Sequence, residues 1–401
     1  MAIHLADRVT RIKESPSTAA TQRVRDLRAE GVDVLSLTVG EPDFDTPDFV
    51  KAAAEQAIRS GDTKYTAVNG TPALQQAILD RVEARIGLRY SRGELAVGGG
   101  GKQVIFLALM ATVQQGAEVI IPAPYWVSYP DMVAANDGTP VVVATSEADG
   151  FLLTAEALAE AITPRTTWLI LNSPGNPTGA VYGHAELEAL AAVLRAHPQV
   201  NVLTDEIYDE VSFGAEPVPS LLQVAPDLRD RVLLVNGVSK TYAMTGWRLG
   251  YGMGPQALVQ AMNKMQSQVS TCASSISQAA AAAALSGDQS FVAEANEIYR
   301  RRRELVVAGI NAIPGLSCTS PDGAFYVYVN CGEVLGKAAP DGRVIDSDEA
   351  LTLYLLDRAR VAVVHGAAFG LSPYFRVSFA TSEEVLEASL RQIREALAEL
   401  S

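Results

Sequence analysis

Short apolar runs alternate with stretches of helical period along most of the chain. The β-rich runs lie at 94–98, 118–122, 140–145, 167–172, 201–204, 231–235 and 249–253. Several are apolar throughout, without the polar alternation of a half-exposed strand, as expected for strands covered on both faces. Helical stretches such as 183–197 lie between them. Strand–helix alternation of this kind predicts an α/β fold on a mostly parallel, doubly wound sheet.

Outside this repeat the pattern differs. The first 35 residues are polar with a helical pattern, 34–39 reads as a short strand ending in Gly-Glu-Pro, and a helix is expected near 49–60. Asn69-Gly70-Thr71-Pro72 reads as a turn and a helix start with proline just inside it, the helix running to about Ile86. Beyond Pro255, the alanines at 279–284 belong to a helix former and a long helix covers roughly 288–313. The Arg300 to Arg303 run on that helix reads as a solvated face. Short strands at 324–329, 361–364 and 374–378 then alternate with helices at 346–360 and 382–400. The expected organisation is a large domain over 45–290 and a smaller α/β domain built from 1–44 and 291–401.

Composition narrows the class. With 401 residues, 48% apolar and 19% charged, the chain suits a globular protein of two or three domains at about 150 residues each. A net charge of −14 argues against nucleic acid or an anionic membrane as a general partner, yet leaves room for local basic pockets. Cys272, Cys318 and Cys331 are an odd number without paired spacing, which suggests neither a disulfide framework nor a zinc site. His4, His184, His197 and His365 lie far apart and are taken as non-ligands. The start of the chain has no apolar signal core, and no run approaches about 18 apolar residues. A soluble cytoplasmic protein is expected.

In an open parallel sheet, ligands sit beyond the carboxyl ends of the strands, so the residues just past each run are informative. Residues 94–98 lead into Gly99-Gly100-Gly101-Lys102 and a helix start, where free N–H groups attract a phosphate. Taken alone, a glycine run is as easily a tight turn. Residues 118–122 lead to Pro124-Tyr125-Trp126, which offers an aromatic face to a flat ring, though core packing explains a lone tryptophan slightly better. Residues 167–172 lead into Asn172-Ser173-Pro174-Gly175-Asn176-Pro177-Thr178-Gly179, which supplies the Asn176 amide. Residues 201–204 deliver Asp205 and, three residues on, the phenol of Tyr208. A carboxylate leaving a buried strand needs a partner, since burying it bare is expensive.

The next run delivers Lys240, set among small, hydroxyl and aromatic residues, with Arg248 eight residues on. Partly apolar surroundings disfavour a lysine's charged form. The amine is then a better nucleophile, suited to a Schiff base with an aldehyde cofactor. Phosphate cradle, aromatic plate, amide, phenol, carboxylate and amine together match pyridoxal 5'-phosphate. An aspartate paired with its ring nitrogen keeps the ring an electron sink.

These motifs carry a family resemblance. Residues 36–379 resemble the fold-type-I, class I/II pyridoxal-phosphate aminotransferases, and within them the bacterial aspartate and prephenate group, subgroup I-gamma. The matching stretches are Gly40-Glu41-Pro42-Asp43-Phe44, Thr63-Lys64-Tyr65, Gly100-Gly101-Lys102-Gln103, the segment from Pro124 to Pro130, the Asn172 to Gly179 loop, Asp205 to Tyr208, Ser239 to Tyr251, and Phe375-Arg376-Val377-Ser378. The resemblance implies a large domain with a seven-stranded, mostly parallel sheet. It assigns Lys240 to the cofactor aldehyde and to proton transfer, Asp205 to the ring nitrogen, and Asn176 and Tyr208 to the 3-oxygen. Trp126 stacks on the ring, while Gly100, Gly101, Lys102, Ser239 and Arg248 surround the phosphate, with Tyr65 reaching it from the neighbouring subunit. Arg376 holds the substrate carboxylate by a planar two-point contact. Gly40 lets the backbone approach that carboxylate, and Trp126 and Asn176 also face the substrate. A distal carboxylate falls to Lys102, Lys13, Ser15 and Ser17, with Ser17 where threonine is usual and Glu14 where proline is usual.

The implied activity is a homodimeric transaminase with shared active sites and a ping-pong cycle. An L-amino acid, aspartate or glutamate, is the donor, and a 2-oxo acid, 2-oxoglutarate or oxaloacetate, is the acceptor. Prephenate or aromatic substrates, or a lyase reaction, are the alternatives on the same scaffold. A ligand-sensing module of a DNA-binding regulator is the alternative from another class, opposed by the net charge and by the lack of a basic helix-turn-helix before residue 36.

Overall fold

The structure, a computed structural model, describes residues 3–13, 16–214 and 216–401. In chain order its strands are β1 (Leu35–Ser36), β2 (Leu95–Gly98), β3 (Glu118–Ala123), β4 (Thr139–Ala144), β5 (Thr166–Asn172), β6 (Asn201–Asp205), β7 (Val232–Gly237), β8 (Gly250–Met253), β9 (Tyr326–Asn330), β10 (Val361–Ala362), β11 (Val364–His365) and β12 (Tyr374–Ser378). β2 to β8 form one seven-stranded sheet in the order β2-β8-β7-β6-β5-β3-β4. The pairs among β3, β4, β5, β6 and β7 are parallel, and β8 runs antiparallel to both neighbours. The expected mostly parallel α/β sheet is therefore present, with each strand within a few residues of its apolar run.

Why those runs lack alternation is visible in the packing. Leu169 and Leu171 of β5 enter one core cluster, and Trp168 and Ile170 enter another. Side chains alternate across a strand, so the two clusters lie on opposite faces and both exclude water. On one face pack Leu74 and Ile78 of helix Pro72–Ile86, Leu187 and Leu190 of helix His184–Ala196, and Ala280 and Ala284 of helix Ser275–Ser286. The other face takes Val104 and Ala108 of helix Gly101–Thr112, Val133 of helix Tyr129–Ala135, and Val259 and Met262 of helix Gln256–Val269. Full burial stabilises each large aliphatic side chain by roughly 1.5–3 kcal/mol. Trp168 keeps its polar end satisfied by donating Nε1–H to Thr112 at 2.9 Å.

A second core surrounds the antiparallel sheet β11-β12-β9. Tyr299, Val306 and Ile310 of helix Ser290–Asn311 and Leu386 and Ile393 of helix Glu383–Leu397 cover it.

Local signals explain several element ends. Thr71 caps helix Pro72–Ile86 by accepting from Leu74 N at 3.3 Å, with Pro72 in the first turn where no N–H is needed. Four expectations need correction. The strand over 34–39 contracts to the two residues of β1, which pair in parallel with β10. The run at 361–364 is two strands, because the backbone changes partner at Val363: β10 pairs with β1, and β11 pairs antiparallel with β12. The helix over 346–360 begins at Asp348, capped by Ser347, and its last turn widens into a π-helix over Leu355–Ala359. The basic run is not a uniformly solvated face. Arg302 turns inward, donates from Nη1 and Nη2 to the two carboxylate oxygens of Asp43 at 2.8 and 2.9 Å, and lies over the Phe44 ring.

Arg302 therefore ties the long helix to the segment that follows Gly40. Its side chain is 9% exposed while that of Arg301 is 57% exposed. Replacing Arg302 with alanine should cost about 2 kcal/mol, less than a fully buried pair because Asp43 is partly wet, whereas the same change at Arg301 should stay within about 0.5 kcal/mol. Urea midpoints of the two variants check this.

Candidate active site

Strand ends from both cores meet at one cavity of about 460 Å³. β6 ends on Asp205, β7 leads to Ser239 and Lys240, β5 leads to Asn176, and β3 leads to Trp126. Gly101 and Lys102 open helix Gly101–Thr112 after β2. From the second core come Arg376 on β12 and Tyr326 on β9, and Gly40 arrives on the segment after β1.

Lys240 is partly buried on the wall of the cavity. Its ammonium donates to the Gly40 carbonyl at 2.5 Å and faces the Tyr208 and Phe325 rings at 5.6 and 6.0 Å. Burial pushes its pKa down to about 8; Glu41 and Asp205 oppose the fall, and Arg376 and Arg248 add to it. A lysine in this state exposes a reactive amine near neutral pH.

Asp205 is buried, and burial pushes its pKa up to about 6. Opposing that rise, its carboxylate accepts from the Tyr129 hydroxyl at 2.7 Å and from Ile207 N at 3.3 Å, with Lys240 adding attraction. A carboxylate so placed favours a cationic group brought against it. Three residues on, Tyr208 is buried with its hydroxyl 2.7 Å from that of Tyr326, and burial raises its pKa well above the ordinary value.

Arg376 is 2% exposed. Nη1 donates to Asn176 Oδ1 at 3.0 Å and Nη2 to the Thr38 carbonyl at 2.5 Å. The guanidinium lies over the Tyr326 ring at 4.5 Å and the Phe369 ring at 5.1 Å. Its Nε is buried without a hydrogen-bond partner, and among the described residues no carboxylate pairs with it. Arg376 lines the cavity as a cation with no described carboxylate beside it, which suits the group to an incoming carboxylate.

At the opposite end, Gly100 has φ +96°, a conformation open to glycine, and a side chain there would run into the Arg248 guanidinium. Arg248 donates to the carbonyls of Thr245 at 2.8 Å and Gly99 at 3.2 Å, and itself adopts φ +54°. Such strain in a non-glycine residue is characteristic of functional positions. Lys102 Nζ stands 4.9 Å above the Trp126 ring, and burial followed by the Arg248 charge lowers its pKa. Two cations at the start of a helix make this corner suited to an anion such as phosphate.

Of the anticipated site residues, Gly40, Gly101, Lys102, Trp126, Asn176, Asp205, Tyr208, Ser239, Lys240, Arg248 and Arg376 line this one cavity, with Gly100 behind Arg248. Lys13 lines a separate open cleft of about 880 Å³, into which Gly99, Lys102 and Arg248 also face. Tyr65 is 88% exposed and is absent from the cavity wall. Ser15 and the side chain of Ser17 lie outside the described residues, as does Glu14. Residues not anticipated include Tyr129, Tyr326, Glu41, Thr245, Gln22 and Arg25. Tyr129 had a signal, since it stands three residues after Trp126 at a helix start; Tyr326 had none that told the inner face of β9 from the outer.

Comparison with known proteins agrees with this geometry. Residues 32–393 match the family model described as aminotransferase class I and II. A relative from Cereibacter sphaeroides, named aspartate/prephenate aminotransferase, is 51% identical over 397 residues, 99% of this chain and 99% of that one. The aspartate aminotransferase of Rhizobium meliloti has a solved structure that matches with a TM-score of 0.97 at 49% identity, covering 100% of both chains. That of Thermus thermophilus, solved with maleate, matches with a TM-score of 0.92 at 40% identity, covering 98% of this chain and 100% of that one.

The raised pKa of Asp205 makes a prediction for the cofactor-free protein. Its contribution to stability is fully present below the unfolded value of 3.8 and is lost as pH rises through about 6. Between those limits Asp205→Asn should gain on the parent by about 2 kcal/mol, read as diverging urea midpoints. Parallel midpoints would show that the carboxylate is not destabilised by its burial.

Proposed function

The chain belongs to the class I and II aminotransferases, with their α/β fold-type-I architecture, and from that footing we propose that it moves the amino group of aspartate or glutamate to a 2-oxo acid with pyridoxal 5'-phosphate as cofactor. The observation that carries the reaction assignment is the meeting of Lys240, Asp205 and the buried guanidinium of Arg376 on the wall of one cavity.

The residues present fit the cofactor. Lys102, Arg248, Ser239 and the start of helix Gly101–Thr112 suit its phosphate, Trp126 its ring face, Asn176 and Tyr208 its 3-oxygen, and Asp205 its ring nitrogen. When bound, the cofactor supplies an aldehyde for the substrate amine and a protonated ring that accepts electrons from the substrate α-carbon. Asp205 keeps that ring nitrogen protonated by ion pairing. Arg376, with Asn176 steadying it, holds the α-carboxylate and turns the α-carbon toward Lys240. Lys240 Nζ, whose proton is already loosened by burial, moves the α-proton. Donor and acceptor both carry an α-carboxylate, so one Arg376 serves both halves of a ping-pong cycle.

Preference for an acidic substrate is supported by Lys102 and Arg25 on the cavity wall of a chain whose net charge is −14. Maleate, which accompanies the Thermus thermophilus structure, is likewise a dicarboxylate. Prephenate, also a dicarboxylate, is the second acceptor, supported by the name of the Cereibacter sphaeroides relative. A homodimer is part of the proposal, with the partner's tyrosine at position 65 entering through the open cleft beside Lys102 and Arg248. So are the division into 45–290 against 1–44 with 291–401, and a cytoplasmic location. Among the described residues no helix is long and apolar enough to cross a membrane.

Aspartate with 2-oxoglutarate should yield oxaloacetate. Lys240→Ala should lower kcat by at least ~10³-fold. Arg376→Lys, which keeps the charge but not the two-point contact, should raise the KM for aspartate by ~10–100-fold. Steady release of pyruvate or ammonia in place of oxaloacetate would make the protein a lyase.

A further inference from the structure

Tyr326 touches both ends of the proposed machinery. It opens β9 opposite Ser378 of β12, two residues from Arg376, and side chains two apart share a face of the sheet. Its ring lies under the Arg376 guanidinium at 4.5 Å and its hydroxyl is 2.7 Å from that of Tyr208. A Cβ on Gly40 would stand 2.8 Å from the same hydroxyl, and the Gly40 carbonyl holds Lys240.

In a pair of hydroxyls one donates and the other accepts. If Tyr208 gives its proton to the cofactor's 3-oxygen, the donor between the two phenols is Tyr326. Burial raises the pKa of both phenols, so each keeps a proton to give at neutral pH. We infer that Tyr326 is a positioning residue that acts through Tyr208: its hydroxyl donates to Tyr208 Oη and so commits the Tyr208 proton to the 3-oxygen. The inference rests on the proposed function. Hydrogen bonds in a chain polarise one another, so the second bond also makes Tyr208 the stronger donor. Strength of donation to the 3-oxygen has a spectroscopic consequence. It draws off negative charge that would otherwise hold a proton on the nitrogen joined to Lys240, so weaker donation raises the pH at which the cofactor's absorbance changes.

The test compares the parent, Tyr208→Phe, Tyr326→Phe and the double variant, each loaded with pyridoxal 5'-phosphate and titrated by absorbance against pH. Tyr208→Phe should raise the midpoint by about one pH unit and Tyr326→Phe by about 0.3–0.5. In the Tyr208→Phe background, the second substitution should add nothing. The KM for aspartate in Tyr326→Phe should change less than about twofold, since the ring under Arg376 remains. As a variant that keeps the tyrosine frame, 3-fluorotyrosine at position 326, a stronger donor, should lower the midpoint. An unmoved midpoint in Tyr326→Phe, or an additive shift in the double variant, overturns the inference while leaving the proposed function standing. A parent protein with no cofactor absorbance overturns both.

Discussion

A carboxylate buried at the end of a central strand is unfavourable unless something positive or hydrogen-bonding meets it, and that constraint organises this protein. Asp205 closes β6, the middle strand of the seven, where both faces of the sheet are dry. Tyr129 and the Ile207 amide share the load, and the remaining capacity points into the cavity. Lys240 follows the neighbouring strand, β7, and its desolvation acts on the opposite sign of charge. The two groups are shifted toward each other, the acid up and the base down, a combination typical of sites that move protons near neutral pH.

The second core completes what the large sheet begins. Arg376 and Tyr326 sit on adjacent antiparallel strands, and the rings of Tyr326 and Phe369 keep the guanidinium desolvated. The segment from Gly40 to Thr46 bridges the two cores. Gly40 accepts from Lys240, Glu41 accepts from Thr245 at 2.8 Å, Asp43 pairs with Arg302, and Thr46 donates to Ala243 at 2.7 Å. That segment thus links the loop bearing the lysine to the long helix of the second core.

Much of this was legible in the sequence because buried strands announce themselves as apolar runs, and because ligand groups in such sheets come just after strand ends. Asp205, Lys240 and the glycine loop could be found that way. Legibility failed where tertiary partners decide. No local pattern tells that Arg302 of four consecutive arginines turns inward, since its reason, Asp43, lies 259 positions away. The change of partner at Val363 depends on β1 and β12, which are also remote in sequence. Tyr326 and Tyr328 are equivalent by period, and only the packed structure sets the first against Tyr208 and the second against the Gly366 and Leu371 carbonyls. Lys13 borders the open cleft beside the cavity.

The decisive assignment is the amine at 240 as the point of covalent attachment. Incubation with pyridoxal 5'-phosphate, borohydride reduction and peptide mass spectrometry put it to the test. One reduced cofactor per chain is expected, on the peptide bearing Lys240. Label on Lys102 or another lysine with Lys240 unmodified, or no label under conditions where the protein is folded, would contradict it.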